Sequence, residues 1–404
     1  MAALSATGFA AALKQHYTDE RIENMVYKDN PFLAMVAKYE DFGGENLKLP
    51  IKYGYPMGRS ATFGTAQSNV TGGNIKAFLL TRIKDYAIAQ IENEVLEASK
   101  GNANAFLEAA VFAIDGSIQA ATRSLAVALY GNGKGSIGVV STSDSTTITL
   151  ATTQDITNFE VDMSLVSSAD ESGGTAGTAI SVTGINRDTG VLTMGADPST
   201  IFTSTLKYIF VEGDYATDST ALLKVSGLGA WLPSTAPGST DSFFNVNRSA
   251  DVDRLGGIRF DGSSLPLEEA LIGAAARAAR AGGKPDYCFM NYSNFADLEK
   301  SLGSKVAYVE KNIKPEIGFR GILIHGPRGP IKVVPDQNCP NGVAYMLQMD
   351  VWKLYSLGKA PKILDSDGLK FLRESTADAV EARIGYYAQL GCRAPGFNVR
   401  VALS

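Results

Sequence analysis

Histidine is nearly missing from this chain of 404 residues, which holds only His16 and His325. A metal site built on several imidazoles cannot be assembled from two. A Ser-His-Asp or Cys-His relay would have to use His325, and the turn His325-Gly326-Pro327-Arg328-Gly329-Pro330 is a place where histidine is ordinarily solvated. Cysteine is scarce as well. Cys288, Cys339 and Cys392 are odd in number, far apart and outside any C-x-x-C pair, which points to buried free thiols in a reducing compartment rather than to a disulfide framework. Positive charge is not in excess: 37 Lys and Arg stand against 42 Asp and Glu, so the formal charge is −5 and tight, direct binding of nucleic acid is disfavoured. No apolar run approaches the roughly 18 residues of a membrane span. The stretch Met1 to Ala12 lacks a basic leading region, with Lys14 and His16 close behind, and does not read as a signal peptide. The expectation is a soluble chain made in a cytoplasm, with no membrane association.

Three short patterns invite a chemical reading and do not sustain it. Gly131 to Ser136 lacks the Ser or Thr that a phosphate-binding loop places after its lysine, and a helix, not a strand, precedes it. Asp365-Ser366-Asp367-Gly368 has neither the spacing nor the later glutamate of a calcium loop. Glu92, Glu94 and Glu97 suit the first turns of a helix, or a basic partner surface, better than a catalytic pair. No catalytic residue, metal ligand or cofactor site is assigned.

What is present is an average globular composition, 45% hydrophobic and 20% charged, with 41 glycines. The length allows two or three packing units. The first forty residues pair small apolar patches with breakers. Ile22, Met25 and Val26 share a helical face, then Asn30-Pro31 precedes Phe32, Leu33, Met35 and Val36. This is an arm that must find a surface to cover. From Leu47 the period changes to two: Leu47, Leu49, Ile51 and Tyr53 face one way, Asn46, Lys48 and Lys52 the other. A glycine-rich stretch, Gly54 to Gly73, follows, and extended chain resumes from Ile75 to Ile88, which together predict a long hairpin with a polar tip. Its return arm carries Phe78, Leu80, Tyr86 and Ile88 beside Lys76, Arg82 and Lys84, so neither face is cleanly apolar. An isolated ribbon of this kind is marginal in water and calls for a neighbour, or else folds back on its own domain.

The clearest periodicity is Leu107, Val111, Ile114, Ile118, Ala121, Leu125 and Ala128, which predicts one helix from Ala103 to Tyr130, roughly 40 Å long. From Ser141 to Tyr215 the composition turns to Thr, Ser, Val, Ile and Asp. Short strands are expected at Thr147–Leu150, Glu160–Val166, Ala179–Ile185, Gly190–Met194 and Lys207–Val211, an inserted antiparallel unit with a turn at Asn186 to Gly190. A helix from Pro266 to Ala281, stopped by Gly282-Gly283, precedes a buried strand, Tyr287–Met290, and a helix capped by Asn291 or Ser293. Two strands flank the His325 turn, and Val343–Leu347 adds another. The last strand, Val380 to Cys392, alternates so regularly that one face should be core and the other wet or shared. The fold class is α+β.

This order of parts, with Asn30-Pro31-Phe32-Leu33, Leu255-Gly256-Gly257, Gly282-Gly283-Lys284-Pro285-Asp286, Asn291-Tyr292-Ser293-Asn294 and the Asp378 to Asn398 region, resembles the major capsid protein of tailed bacteriophages, with the Hong Kong 97 fold. The resemblance divides the chain into an N-terminal arm (1–43), an extended loop (44–90), the spine helix and peripheral domain (91–140), the β-rich insertion (141–230), a peripheral return (231–254), an axial domain (255–350) and a closing segment (351–404). It implies a structural, non-enzymatic subunit that assembles as hexamers and pentamers into an icosahedral shell around DNA bound without sequence specificity. Contacts between subunits would involve Phe32, Leu33, Lys52, Arg59, Phe63, Arg82 and Lys84, with Glu92, Glu94 and Glu97 as acidic partners near the spine helix. The hairpin arrives by residue 47, so a separate scaffolding protein is expected, beside a portal and a cement protein. The tip carries Arg59 but no lysine, so no lysine–asparagine crosslink through it is expected. An encapsulin-like compartment shell is the runner-up, and a β-rich hydrolase the lesser alternative.

Overall fold

The computed structural model describes residues 29–92, 94, 103–171, 177–215, 222–302, 321–365, 372–373 and 378–404. The expected arm helix around Ile22 to Val26, Glu97 and the Ser366 to Gly368 turn lie outside the described residues. A short helix, Pro31–Met35, opens with proline where a missing N–H is harmless. Strand β1 (Ala37–Tyr39) follows, then the hairpin of β2 (Asn46–Gly54) and β3 (Asn74–Thr81), in register from Asn46 opposite Thr81 to Gly54 opposite Asn74. Its tip contains a short helix, Phe63–Ser68, which no periodic pattern announces. The expected return arm divides at Arg82, whose guanidinium lies 5.1 Å from the Phe42 ring centre and donates to the Phe42 carbonyl. Beyond it β4 (Ile83–Glu92) leaves the hairpin for another sheet. Glu92 therefore ends a strand, not a helix.

The long helix spans Ala103–Ala128 and buries Ile114, Ile118, Ala121 and Leu125 in the main core with Ala89 of β4. After it, β5 (Gly138–Ser143), β6 (Thr147–Leu150), β7 (Ser164–Ser168), β8 (Ile180–Asn186), β9 (Val191–Met194) and β10 (Tyr208–Val211) close into a barrel in the order β10-β5-β6-β9-β8-β7. The barrel has its own core, including Ile148, Phe159, Leu165, Val182, Leu192, Phe202 and Ile209. The turn between β8 and β9 forms as its residues predict: Asn186 Oδ1 accepts from the N–H of Asp188 and Thr189, and Gly190 takes φ of 72°.

Two further sheets complete the chain. A two-residue pair, β11 (Ser242–Phe243) and β12 (Val246–Asn247), precedes β13 (Ile258–Asp261), β14 (Tyr287–Met290), β15 (Ile322–Gly326), β16 (Gly329–Pro335) and β17 (Val343–Leu347). After these come β18 (Trp352–Ser356), β19 (Lys362–Ile363), β20 (Leu372–Arg373), β21 (Ala379–Cys392) and β22 (Val399–Ala402). One sheet runs β13-β22-β17-β14-β16-β15, beneath the helices Leu267–Arg280 and Tyr292–Leu302, with Ala270, Leu271, Ala274, Cys288, Leu298 and Val333 in the core between them. Here the last strand of the chain threads between β13 and β17, a pairing that no local pattern announces. The other sheet is organised on β21, which pairs with β4 along one side and with β18, β19 and β20 along the other. Being central, β21 is buried on both faces from Ile384 onward except for partly buried Tyr387, so there the face expected to be wet or shared is covered within this chain. All three cysteines are free and buried, and burial pushes the Cys288 thiol up to about 12.

Candidate assembly surfaces

The hairpin divides into a root held by this chain and a tip that is not. At the root, Leu49, Ile51, Phe78 and Leu80 are buried in the main core. Phe78 meets Trp231 edge-on at 5.0 Å, Trp231 meets Phe243 at 5.0 Å, and the Trp231 indole donates to the Leu390 carbonyl at 3.1 Å. The ribbon crosses β21 at Gly391, where any Cβ would stand 2.6 Å from the Tyr355 ring and 2.8 Å from Leu49. Glycine is required there because the two layers touch backbone to side chain. Further out, Lys76 donates to the Asn247 carbonyl at 3.2 Å, and Arg254 donates to the Tyr53 carbonyl at 2.5 Å. The ribbon's base thus folds back on its own domain.

At the tip the pattern reverses. Phe63 is 85% exposed, and Tyr55, Met57, Val70 and Ile75 are each exposed by about two thirds. Lys52 lies 4.8 Å from the Tyr55 ring centre, and Arg59 is exposed among them. Apolar side chains clustered on the ribbon's tip make it a candidate contact surface, since soluble monomers seldom leave such groups together in water.

The other residues expected at subunit contacts fall into three groups. Phe32 and Leu33 are each 1% exposed inside this chain's own core, so they are corrected from intermolecular to intramolecular anchors. Phe32 packs edge-on against Phe289 at 5.3 Å, and its N–H donates to Asp336 Oδ2 at 3.2 Å. The proline-started helix is too short to bury these rings except against a ready-made core. Arg82 is likewise engaged within the chain, at Phe42. Lys52, Arg59, Phe63 and Lys84 are exposed, as are Glu92 and Glu94.

Two buried polar clusters, which the sequence did not suggest, hold these surfaces in place. Asp336 accepts from Phe32 N–H, the Tyr130 hydroxyl at 2.8 Å and both Asn338 donors, tying the arm to the end of the long helix. Burial pushes this carboxyl up, against the pull of its donors. The second cluster is centred on Lys224, whose ammonium lies 2.9 Å from Asp85 Oδ2 and 2.8 Å from Asp214 Oδ2. Ser124 and Tyr386 also donate to Asp85, at 2.6 and 3.1 Å, so β4, the long helix, β21 and the chain leaving the barrel meet at one point. On the barrel side Glu160 pairs with both Arg123 of the long helix and Arg187, and Glu160 and Arg123 line a cavity of about 520 Å³. The signal that could have found these groups is separation of charge from any amphipathic face, which single-sequence periodicity does not weigh. Among the described residues, no group of three His, Cys, Asp or Glu side chains is placed to hold a metal ion.

Comparison with known proteins bears on this arrangement directly. Residues 203–381 match the family model of the SU10 major capsid protein. That segment, under half of the chain, is similar to a major capsid protein. The chain's fold is similar to that of the Cyanophage A-1(L) capsid asymmetric unit, at 13% identity and a TM-score of 0.54, with 93% of this chain and 92% of that chain covered. A chain of Mycobacterium phage Bobi aligns at 12% identity, covering 100% and 99% of the two chains, with a TM-score of 0.43. The capsid of a native GTA particle aligns at 9% identity, covering 92% and 89%, with a TM-score of 0.44. No curated protein matches the chain. The chain has the Hong Kong 97 fold, and the partial family match is to a viral capsid protein rather than to an encapsulin-like compartment shell.

Proposed function

We propose that this protein is a tailed-phage major capsid protein, the repeating tile of an icosahedral shell of hexamers and pentamers that forms in the host cytoplasm and encloses the phage genome. The observation that carries the reading is the hairpin, rooted in its own subunit and bare at the tip. A ribbon so anchored is stiff at its base and offers Tyr55, Met57, Phe63, Val70 and Ile75 to the surface of a neighbour. Lys52, Arg59 and Lys84 supply positive charge for acidic neighbouring faces such as Glu92 and Glu94. Each subunit engages several neighbours, so modest contacts sum to a durable shell. With a formal charge of −5, the subunit encloses DNA without gripping its sequence. Within this proposal the arm, extended loop, peripheral and axial domains keep the boundaries expected above. The closed barrel faces outward, and a scaffolding protein, a portal and a cement protein are the further partners.

Negative-stain microscopy of the protein expressed alone and with its genomic neighbours tests the proposal. Closed particles of uniform size support it. In Phe63→Glu, particle yield should fall at least tenfold while the unassembled subunit keeps its denaturation midpoint, because Phe63 touches solvent and no core. Particles unaffected by that charge would remove the tip from the contact.

A further inference from the structure

Strand β4 is an edge. Along Ile83–Glu92 it pairs with β21 on one side and, among the described residues, with no strand on the other. Soluble proteins usually blunt such edges with charged side chains, proline, a bulge or a short strand, because a bare edge is a template for another chain; β4 carries charge at Lys84, Asp85 and Glu92 but none of the other devices. Here ten consecutive residues pair with β21 without a break in register, and none is proline. The long helix takes up the face that carries Asp85, Ala89 and Ile91. The opposite face shows Lys84, Tyr86, Ile88, Gln90 and Glu92 to solvent, with Ile88 58% and Tyr86 50% exposed.

That outer face is complementary to itself when read in opposite directions. Set antiparallel to a second β4 about a two-fold axis through Ile88, Lys84 stands opposite Glu92 of the second copy, twice. Tyr86 stands opposite Gln90, twice, and Ile88 opposite itself. A one-residue slip would set solvent-facing residues against helix-facing ones, since the side-chain period is two. A two-residue slip would separate Lys84 from Glu92, setting it opposite Gln90 in one direction and past the end of the partner's β4 in the other. Opposite charges directly across a strand pair stabilise it, and like charges oppose it.

We infer that β4 pairs edge to edge with β4 of a second copy of this chain, antiparallel about a two-fold axis through Ile88. The two β21-centred sheets then become one continuous sheet across the subunit boundary, by strand addition between identical elements. This rests on the shell reading, since closed icosahedral shells contain two-fold axes where like surfaces meet.

Cysteine scanning of assembled particles tests it, and the native thiols do not interfere because all three are buried. Particles of Ile88→Cys, treated with a short bis-maleimide and boiled, should give a dimer band. Particles mixed from Tyr86→Cys and Gln90→Cys subunits should give one too, at least tenfold stronger than particles of Tyr86→Cys alone. In the Ile88→Cys background, Lys84→Glu or Glu92→Lys should each cut the dimer at least tenfold, and the two together should restore it. Intact particles that yield no dimer from either cysteine set overturn the pairing and leave the shell reading standing. A dimer indifferent to the charge reversals overturns the register. Failure of the native protein to form particles overturns the shell reading instead.

Discussion

Replacing Lys224 by methionine removes one positive charge from between two carboxylates while nearly keeping the side chain's length. The Lys224 side chain is 10% exposed, that of Asp85 15% and that of Asp214 29%. Deleting one partner of a buried ion pair costs about 3–5 kcal/mol, because the remaining charge is left without compensation. Two features move the expected loss to the low end of that range. Asp214 is nearly a third exposed, so water screens it, and Asp85 keeps the hydroxyls of Ser124 and Tyr386. The expected loss is therefore about 3 kcal/mol. Equilibrium urea denaturation of the unassembled subunit measures it, read by fluorescence of Trp231 and Trp352, both fully buried. In the native subunit burial lowers the Lys224 pKa, but the two carboxylates outweigh it and hold the ammonium above its usual value. Its contribution is thus complete below the unfolded lysine value, near roughly 10.4, and is lost only as the pH rises above that. In the variant, Asp214, whose carboxyl burial already raises, loses the cation that opposed that rise, so its folded pKa moves further above the unfolded value, near roughly 3.9. The folded variant then takes up protons as the pH falls, and its deficit against the native subunit should shrink toward pH 4. A loss below about 1 kcal/mol, the size of a surface pair, or a deficit that does not shrink in acid, would refute the reasoning.

Phe32→Ala should cost the unassembled subunit about 3–5 kcal/mol in the same assay, the range for deleting a buried phenylalanine. A subunit unaffected alone but defective in the shell would return Phe32 to a neighbour's surface. Purified particles boiled in detergent should run as a single monomer band, because Gly54 to Gly73 contains no lysine to crosslink. A ladder of multimers would sink that expectation.

The hairpin illustrates where local pattern stops informing. Alternation at Leu47 to Tyr53 and glycine at the tip located two strands and a turn, because both depend on a few neighbouring residues. That the return arm breaks at Arg82 depends on Phe42, forty positions away, and that its root is buried depends on Trp231, Phe243 and Gly391. Phe32 and Leu33 were read correctly as apolar groups needing cover, but hydrophobicity carries no address. Only the fold decides whether the cover is this chain or another.

By itself the sequence determined the long helix, five of the barrel's six strands (all but β5), the buried strands Tyr287–Met290 and Val343–Leu347, and the α+β class. Each is written in a period of 3.6 or 2 over adjacent residues, and burial of one face enforces it. The tertiary structure alone decided that the six inserted strands close into a barrel, that β22 enters the sheet between β13 and β17, and that β21 is central. It also brought Asp85, Ser124, Asp214, Lys224 and Tyr386 together. Those outcomes depend on pairings between segments tens to hundreds of residues apart, whose free energy is collected only when all the partners arrive, and no local period records it.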